Sequence, residues 1–375
     1  MLNNDFVTDF LKSPAESFSN YCVINGSILK LSEVEAMGFQ EFSFRAKLNI
    51  PLKLYHYYPN TIKTISGEEF NYSQIALKNN TVYMQSPIEF DDVYDSEISI
   101  DFSEYERYRL LEYCRRCNVE IKEDEKTQEI GDAIVKALWN YYLKNGSLDG
   151  VFVEPPTSMI QELANNEFCL QVLVEYNNTH DFGAAVTKTI QKEYNEYSKR
   201  LKNTFRAFCF ATSPYSQLMW GGVYADNHRG FCVEYTVLPN DNKYKDIFYN
   251  LFPVIYCRSR PNITGRISAS RDQMYDEEKL WDLFFHGALR KSIDWAFQNE
   301  WRLLLPFGIK DTDFNVKFFP ITKVYLGNRM PKEKRKEIIA ICKERGIPYI
   351  GVKRNPGRFE MQDCEILCED CPYYR

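Results

Sequence analysis

The hydrophobic period of this chain changes twice along its length, and that limits the architectures open to it. From Lys53 to Gln85, apolar and aromatic residues come in short runs stopped by proline or asparagine. KLYHYYP (Lys53 to Pro59) and TVYMQ (Thr81 to Gln85) predict strands, with a short helix and an Asn-Asn turn between them. From residue 103 to residue 203 the spacing becomes three to four residues, in YERYRLLEYCRRC, TQEIGDAIVKALWNYYLKN, TSMIQELANNEFCLQVLVEY and DFGAAVTKTIQKEYNEYSKRLKN. That spacing predicts helices, the last capped by Asp181. Strand character returns with RAFCFAT (Arg206 to Thr212) and GFCVEYTV (Gly230 to Val237), then EWRLLLPF, VKFFP, KVYLG and PYIGVKR. A long helix is expected over Asp272 to Phe297. Another is expected in PKEKRKEIIAICKERG, which has proline at its start and glycine at its end.

Strands, a helical block and strands again predict an α+β fold with an antiparallel or mixed sheet, since a doubly wound sheet would alternate strand and helix throughout. The expected organisation is a lead-in with short helices over residues 1–50, one α+β core made of 51–102 and 204–355, a helical insertion over 103–203, and a cysteine-containing tail over 356–375. No internal repeat interrupts this pattern.

Composition removes several function classes. The 375 residues carry a net charge of -6, so no overall basic field points to nucleic acid. No apolar run approaches the roughly 18 residues of a membrane span, and the first residues lack a basic segment followed by an apolar one. A cytoplasmic protein without membrane attachment is expected, with its 11 cysteines mostly as thiols. Aromatic residues reach 15%, which implies a core and clefts built from rings. Phosphate-loop, dinucleotide-binding, zinc-protease and serine-hydrolase signatures are absent.

Three groups of residues invite a chemical reading. Cys364, Cys368 and Cys371, with Cys114 and Cys117 of CRRC, have thiolates suited to zinc or an iron–sulfur cluster, although the spacing is not that of two tight pairs, and free thiols are the simpler reading. The loop IEFDDVYDSE gathers Glu89, Asp91, Asp92, Asp95 and Glu97. Such a cluster suits a divalent cation and a metal-dependent nuclease, but it also suits a solvated turn, and it lacks the glycine of a calcium loop. Glu300 heads an apolar strand with Arg302 on its face, either as a structural brace or as a positioned catalytic carboxylate. Of the four histidines, His180 and His286 read as loop and packing residues, while His56 and His228 sit at strand and turn edges.

LYHYY, SPIEFDDVYD, FCFATSPYSQLMWGGVYADNHRGFCVEY, NEWRLLLP and ITKVYLG, in this order, resemble the bacterial domain-of-unknown-function 2971 family over residues 52–97 and 205–330. The family's NDPFD is DDVYD here, and its WSHYA is WGGVYA, one residue longer and without the histidine. A second resemblance, of LYHYYPNTIKTI and ALKNNTVYMQSP, is to ADP-ribosyltransferase-like folds. It implies an enzyme that uses NAD to modify a macromolecular target, protein or nucleic acid, in the manner of a toxin or an antiphage effector. His56, Tyr57, Tyr83, Trp220 and Arg302 would then line the NAD site. Glu300, with His56 and Tyr83, would be catalytic, stabilising the positive charge that develops on the ribose. No metal is required.

The stretch QLMWGGVYADNHRGFCVEYTV has its own logic. Met219 and Trp220 anchor a short helix, Gly221 and Gly222 permit close approach, and ADNHRG turns tightly with Gly230 at positive φ. Asn227, His228 and Arg229 project from this turn, either as a plain turn or as a rim of donors for a substrate phosphate or a nucleic-acid strand. The sequence thus supports three readings: an NAD-using transferase, a metal-dependent nuclease centred on Asp91, Asp92 and Asp95, and a non-catalytic module binding nucleic acid or another ligand.

Overall fold

The ring-rich segments Lys53–Tyr58 (β3) and Phe231–Thr236 (β8) are strands, paired antiparallel with His56 opposite Val233. They belong to the first of two units in a computed structural model that describes residues 4–13, 19–65, 68–90, 92, 94–96, 101–122, 125–148, 159–203, 205–260, 262, 264, 282, 285–306 and 314–364. This unit comprises Met1–Ser96, Asn203–Ser259 and Leu289–Arg375; the other comprises Glu97–Lys202 and Arg260–Ala288.

The first unit is built on a five-stranded sheet in the order β16–β15–β14–β8–β3, where β14 is Ile321–Leu326, β15 is Tyr349–Arg354 and β16 is Met361–Cys364. Only β14 and β15 run parallel in it, as expected where a helix, Lys332–Arg345, makes the crossover. Gly346, at φ 65, ends that helix in the left-handed conformation that favours glycine. A second sheet orders β7 (Phe205–Phe210), β12 (Trp301–Pro306) and β9 (Leu251–Pro253). Trp301, Arg302, Leu303 and Leu304 are all buried, so β12 is covered on both faces. Phe210 stacks on Phe318 with centroids 4.5 Å apart, and Tyr235 packs edge-on to both.

A third sheet corrects the expected lead-in of short helices. Besides helices, the first 50 residues form a hairpin of β1 (Tyr21–Ile24) and β2 (Ser27–Lys30), turned by Asn25 and Gly26 at φ 48 and 75. Positive φ at both central residues is the turn whose twist suits a two-residue hairpin. This hairpin pairs with β10 (Ile255–Cys257), which pairs parallel with β11 (Arg290–Ser292). The long helix expected over Asp272–Phe297 is therefore not continuous. Residues 265–281 lie outside the described residues, Arg290–Ser292 is a strand, and Ile293–Gln298 is 3₁₀ helix. Pairing with β10 overrides a spacing that fitted a helix. Two-stranded antiparallel pairs also occur in the unit: β6 (Thr81–Tyr83) with β13 (Asn315–Lys317), and β4 (Lys63–Ile65) with β5 (Glu68–Phe70). Within the expected cysteine tail, 356–375, Met361–Cys364 form strand β16, and residues 365–375 lie outside the described residues.

The second unit includes the helices Phe102–Arg116, Thr127–Asn145, Met159–Thr179 and Phe182–Asn203, the last reaching one residue into the first unit. Ile130, Ile134, Leu138, Val172, Val186 and Ile190 form its core. Buried Arg109 is balanced by Glu112 and Glu193. Helices and mixed sheets together make the protein α+β.

Candidate functional site

Glu300 and Arg302 point the same way from β12, two residues apart, as strand geometry requires. Their partners make a closed cluster. The Arg302 guanidinium donates from Nε to Glu300 Oε1 at 2.6 Å, and from its two terminal nitrogens to both Asp95 oxygens at 2.8 and 2.6 Å. The Lys291 ammonium lies 3.0 Å from both Asp95 Oδ2 and Glu300 Oε2, and donates to Gln298 Oε1 at 2.9 Å. The Gln298 amide donates on to the Tyr224 hydroxyl. Two carboxylates and two cations, all buried, cancel. Burial alone would raise the Glu300 pKa, but the charges of Arg302 and Lys291 outweigh it and hold the carboxyl well below its ordinary range. This is the brace anticipated for Glu300 and Arg302, extended by two residues. Nothing in the sequence signalled that Asp95 and Lys291 would join it.

The residues expected around NAD do not share one cleft. Arg302 lies opposite Cys209 in the β7–β12 ladder, so the cluster occupies the Cys209 face of that layer. His56 packs against Phe208, centroids 4.2 Å apart, and within 6.4 Å of Phe210; both project from the other face of β7. Its Nδ1–H donates to the Cys209 carbonyl at 2.7 Å, and burial lowers its pKa to about 4, against the smaller upward effect of that bond. His56 is thus a neutral, packed ring separated from Glu300 by the sheet. Tyr57 points away from His56, donates to the Ser213 carbonyl at 2.8 Å, and meets Trp220 edge-on at 5.2 Å. Trp220 is fully buried, with its indole N–H on the Pro214 carbonyl. Tyr83 is 47% exposed on β6, opposite Asn315, with its ring 6.3 Å from Phe314.

The acidic loop does not present its carboxylates together. Asp95 is taken up by Arg302 and Lys291, and Asp92 Oδ1 accepts the Tyr94 N–H at 2.9 Å. Asp91 and Glu97 lie outside the described residues, as do Cys368 and Cys371. Cys364 is buried in β16, and burial raises the Cys114 and Cys117 pKa values to about 11 and about 12. No group of three or more His, Cys, Asp or Glu among the described residues could hold a metal ion.

Asp226–Arg229 is different. Ser216 caps the short helix Gln217–Gly221, and Met219 and Trp220 are its buried anchors. The chain then passes through Asp226, Asn227 and His228 at φ 45, 51 and 68. Three successive non-glycine residues in the left-handed region are costly, although these types tolerate it best. Gly230, expected to supply positive φ, does not. It is glycine because a Cβ there would lie 2.0 Å from the Tyr58 carbonyl oxygen. Gly327 has the same role, its Cβ position being 2.2 Å from the His228 carbonyl oxygen. The close approach lets the Gly327 N–H donate to Gly230 and the Arg329 N–H to His228, each at 3.0 Å. The turn is thereby locked against the end of β14.

Residues 219–303 match a family model. Its description is a protein of unknown function, DUF2971. No curated protein and no solved structure matches the chain. The DUF2971 match contains the turn, Lys291, Glu300 and Arg302, but not His56, Tyr83 or Asp95.

Within the DUF2971 segment, the His228 ring lies parallel to Trp220 with centroids 6.3 Å apart, and its Nδ1 is buried with no hydrogen-bond partner among the described residues. Burial lowers its pKa, and so do the charges of Arg329 and Arg354. Arg229 is paired with Asp226 at 2.9 Å. Arg329 donates to Asn227 Oδ1 at 3.1 Å and, like Arg354, meets no carboxylate among the described residues. Asn227, His228 and Arg229 are thus brought together as expected. Arg329 and Arg354 were missed, because nothing local marks an arginine that lacks an acidic partner.

Proposed function

We propose that this protein binds a phosphate-bearing ligand at the Asp226–Arg229 turn, with Arg329 and Arg354 as its principal cations and His228 as an additional donor. What carries this reading is the placement of two exposed arginines, neither meeting a carboxylate among the described residues, beside a half-buried histidine whose Nδ1 has no hydrogen-bond partner among them, next to a strained backbone. Guanidinium groups suit phosphate oxygens in planar, two-pronged contacts, and charge-assisted bonds are among the strongest available. The free site carries uncompensated positive charge that an anion would neutralise. NAD, with its pyrophosphate, is one ligand of this class. Transfer chemistry at Glu300 draws no support from its paired, buried setting.

Calorimetric titration of the full chain with inorganic pyrophosphate at pH 7.5 and low salt tests this. Saturable binding is expected, weakened at least about tenfold in an Arg329→Ala/Arg354→Ala variant. No binding, or binding indifferent to both substitutions, would overturn the proposal.

A further inference from the structure

The hairpin that carries Arg354 also carries the most exposed large ring of the described residues. Phe359 is 99% exposed at the β15–β16 turn. That turn is fixed: the Asn355 N–H donates to the Glu360 carbonyl at 3.0 Å, the Gly357 N–H to Asn355 Oδ1 at 2.9 Å, and the Met361 N–H to the Tyr215 carbonyl at 2.9 Å. Phe359 is therefore held out by an ordered turn. Beside it lies an open surface hollow of about 410 Å³ lined by Ser213, Tyr215, Gln217, Leu218, Phe359 and Glu360. That volume is in the range of small-ligand sites. Leu218, 58% exposed, faces it from the helix whose Trp220 lies under His228. The helix Gln217–Gly221 and the β15–β16 hairpin thus supply residues both to the hollow and, through Trp220 and Arg354, to the surroundings of His228.

We infer that the phosphate-bearing ligand is a nucleotide, with its base against Phe359 in this hollow and its phosphates at Arg354, Arg329 and His228. The inference rests on the anion-binding reading and adds the ligand class. An exposed phenyl ring offers a flat face, and every nucleobase has one to stack on it. Gln217 supplies both a donor and an acceptor, and Glu360 supplies acceptors, for a base edge. The Glu360 carboxylate makes only a 3.4 Å contact with Arg358 and stays accessible. A negative group in the hollow disfavours a second phosphate, an acidic peptide or an anionic lipid surface there. The net charge of -6 also disfavours a long strand with phosphates along the protein, so a free nucleotide fits better than a polymer.

The experiment titrates the full chain with pyrophosphate, ADP, GDP and NAD, in wild type, Phe359→Ala and Phe359→Trp. Phe359 is exposed, so its replacement is expected to leave the fold intact. At least one nucleotide should bind about tenfold to a hundredfold tighter than pyrophosphate, the worth of one stacked base. Phe359→Ala should erase that gain and leave pyrophosphate affinity unchanged, whereas Phe359→Trp should keep it. Pyrophosphate binding with no gain from any base, or a gain indifferent to Phe359→Ala, would overturn the nucleotide inference and leave the anion site standing. No binding of any of the four would overturn both.

Discussion

Two groups of charged residues, one around Glu300 and one around His228, differ in how their charges are compensated. Around Glu300, four buried ionic side chains cancel, and each carboxylate oxygen meets a cation. Around His228, among the described residues, Arg329 and Arg354 meet no carboxylate and the ring Nδ1 has no hydrogen-bond partner. A closed cluster has no valence left for a ligand, and opening it would strand a charge in a low-dielectric core. An open cluster near the surface does the reverse: its stability cost is backbone strain, and its two arginines are exposed. Burial and charge together therefore mark the first region as architecture and the second as a site, although both look functional in the sequence.

The largest expected effect tests the closed cluster. Glu300→Gln or Asp95→Asn leaves a buried cation undercompensated and should cost about 3–5 kcal/mol in urea unfolding. A change under about 0.5 kcal/mol would remove the brace from the account. Acid should act next, through His56 on the opposite face of the same layer. Its folded pKa of about 4 is below the ordinary 6.5, so the unfolded chain binds the extra proton. Its contribution is present above pH 6.5 and is lost as pH falls toward 4, up to about 3 kcal/mol in all. A His56→Phe variant should show a flatter stability profile across that window, and an equally steep one would mean that His56 is not the neutral core group described. Gly230→Ala then probes the seat of the open turn. Its new methyl group meets the Tyr58 carbonyl, and a loss of roughly 1–3 kcal/mol is expected in thermal unfolding. The smallest effect is in binding. An anion should offset the lowering of the His228 pKa, so sulfate, which does not titrate here, should bind a few-fold tighter at pH 5.5 than at pH 7.5. A His228→Gln variant should lose that difference.

Much of the fold was legible where local pattern and tertiary pairing agree. The strands around Lys53, Arg206, Gly230 and Lys323 and the helix ended by Gly346 follow from periodicity and capping. Asn25-Gly26 is a strong short hairpin signal, yet the irregular pattern around it hides the strands it joins. Arg290–Ser292 was not readable, because its strand state comes from pairing with Ile255–Cys257, more than thirty residues away. The same limit applies to the sites. Glu300 and Arg302 share a face by strand period, but Asp95 and Lys291 reach them only through the fold. Asn227, His228 and Arg229 are contiguous and stood out, while Arg329, Arg354 and Phe359 arrive from later strands.

The most direct test of the central contrast measures Glu300→Gln and Arg329→Ala/Arg354→Ala side by side, for thermal unfolding and for pyrophosphate affinity of the folded protein below its melting point. The account predicts a crossing: Glu300→Gln melts well below wild type yet binds normally once folded, whereas the double arginine variant melts within about 0.5 kcal/mol of wild type and loses at least about tenfold in affinity. A Glu300→Gln protein that melts like wild type but no longer binds, or an arginine variant that binds undiminished, would contradict it.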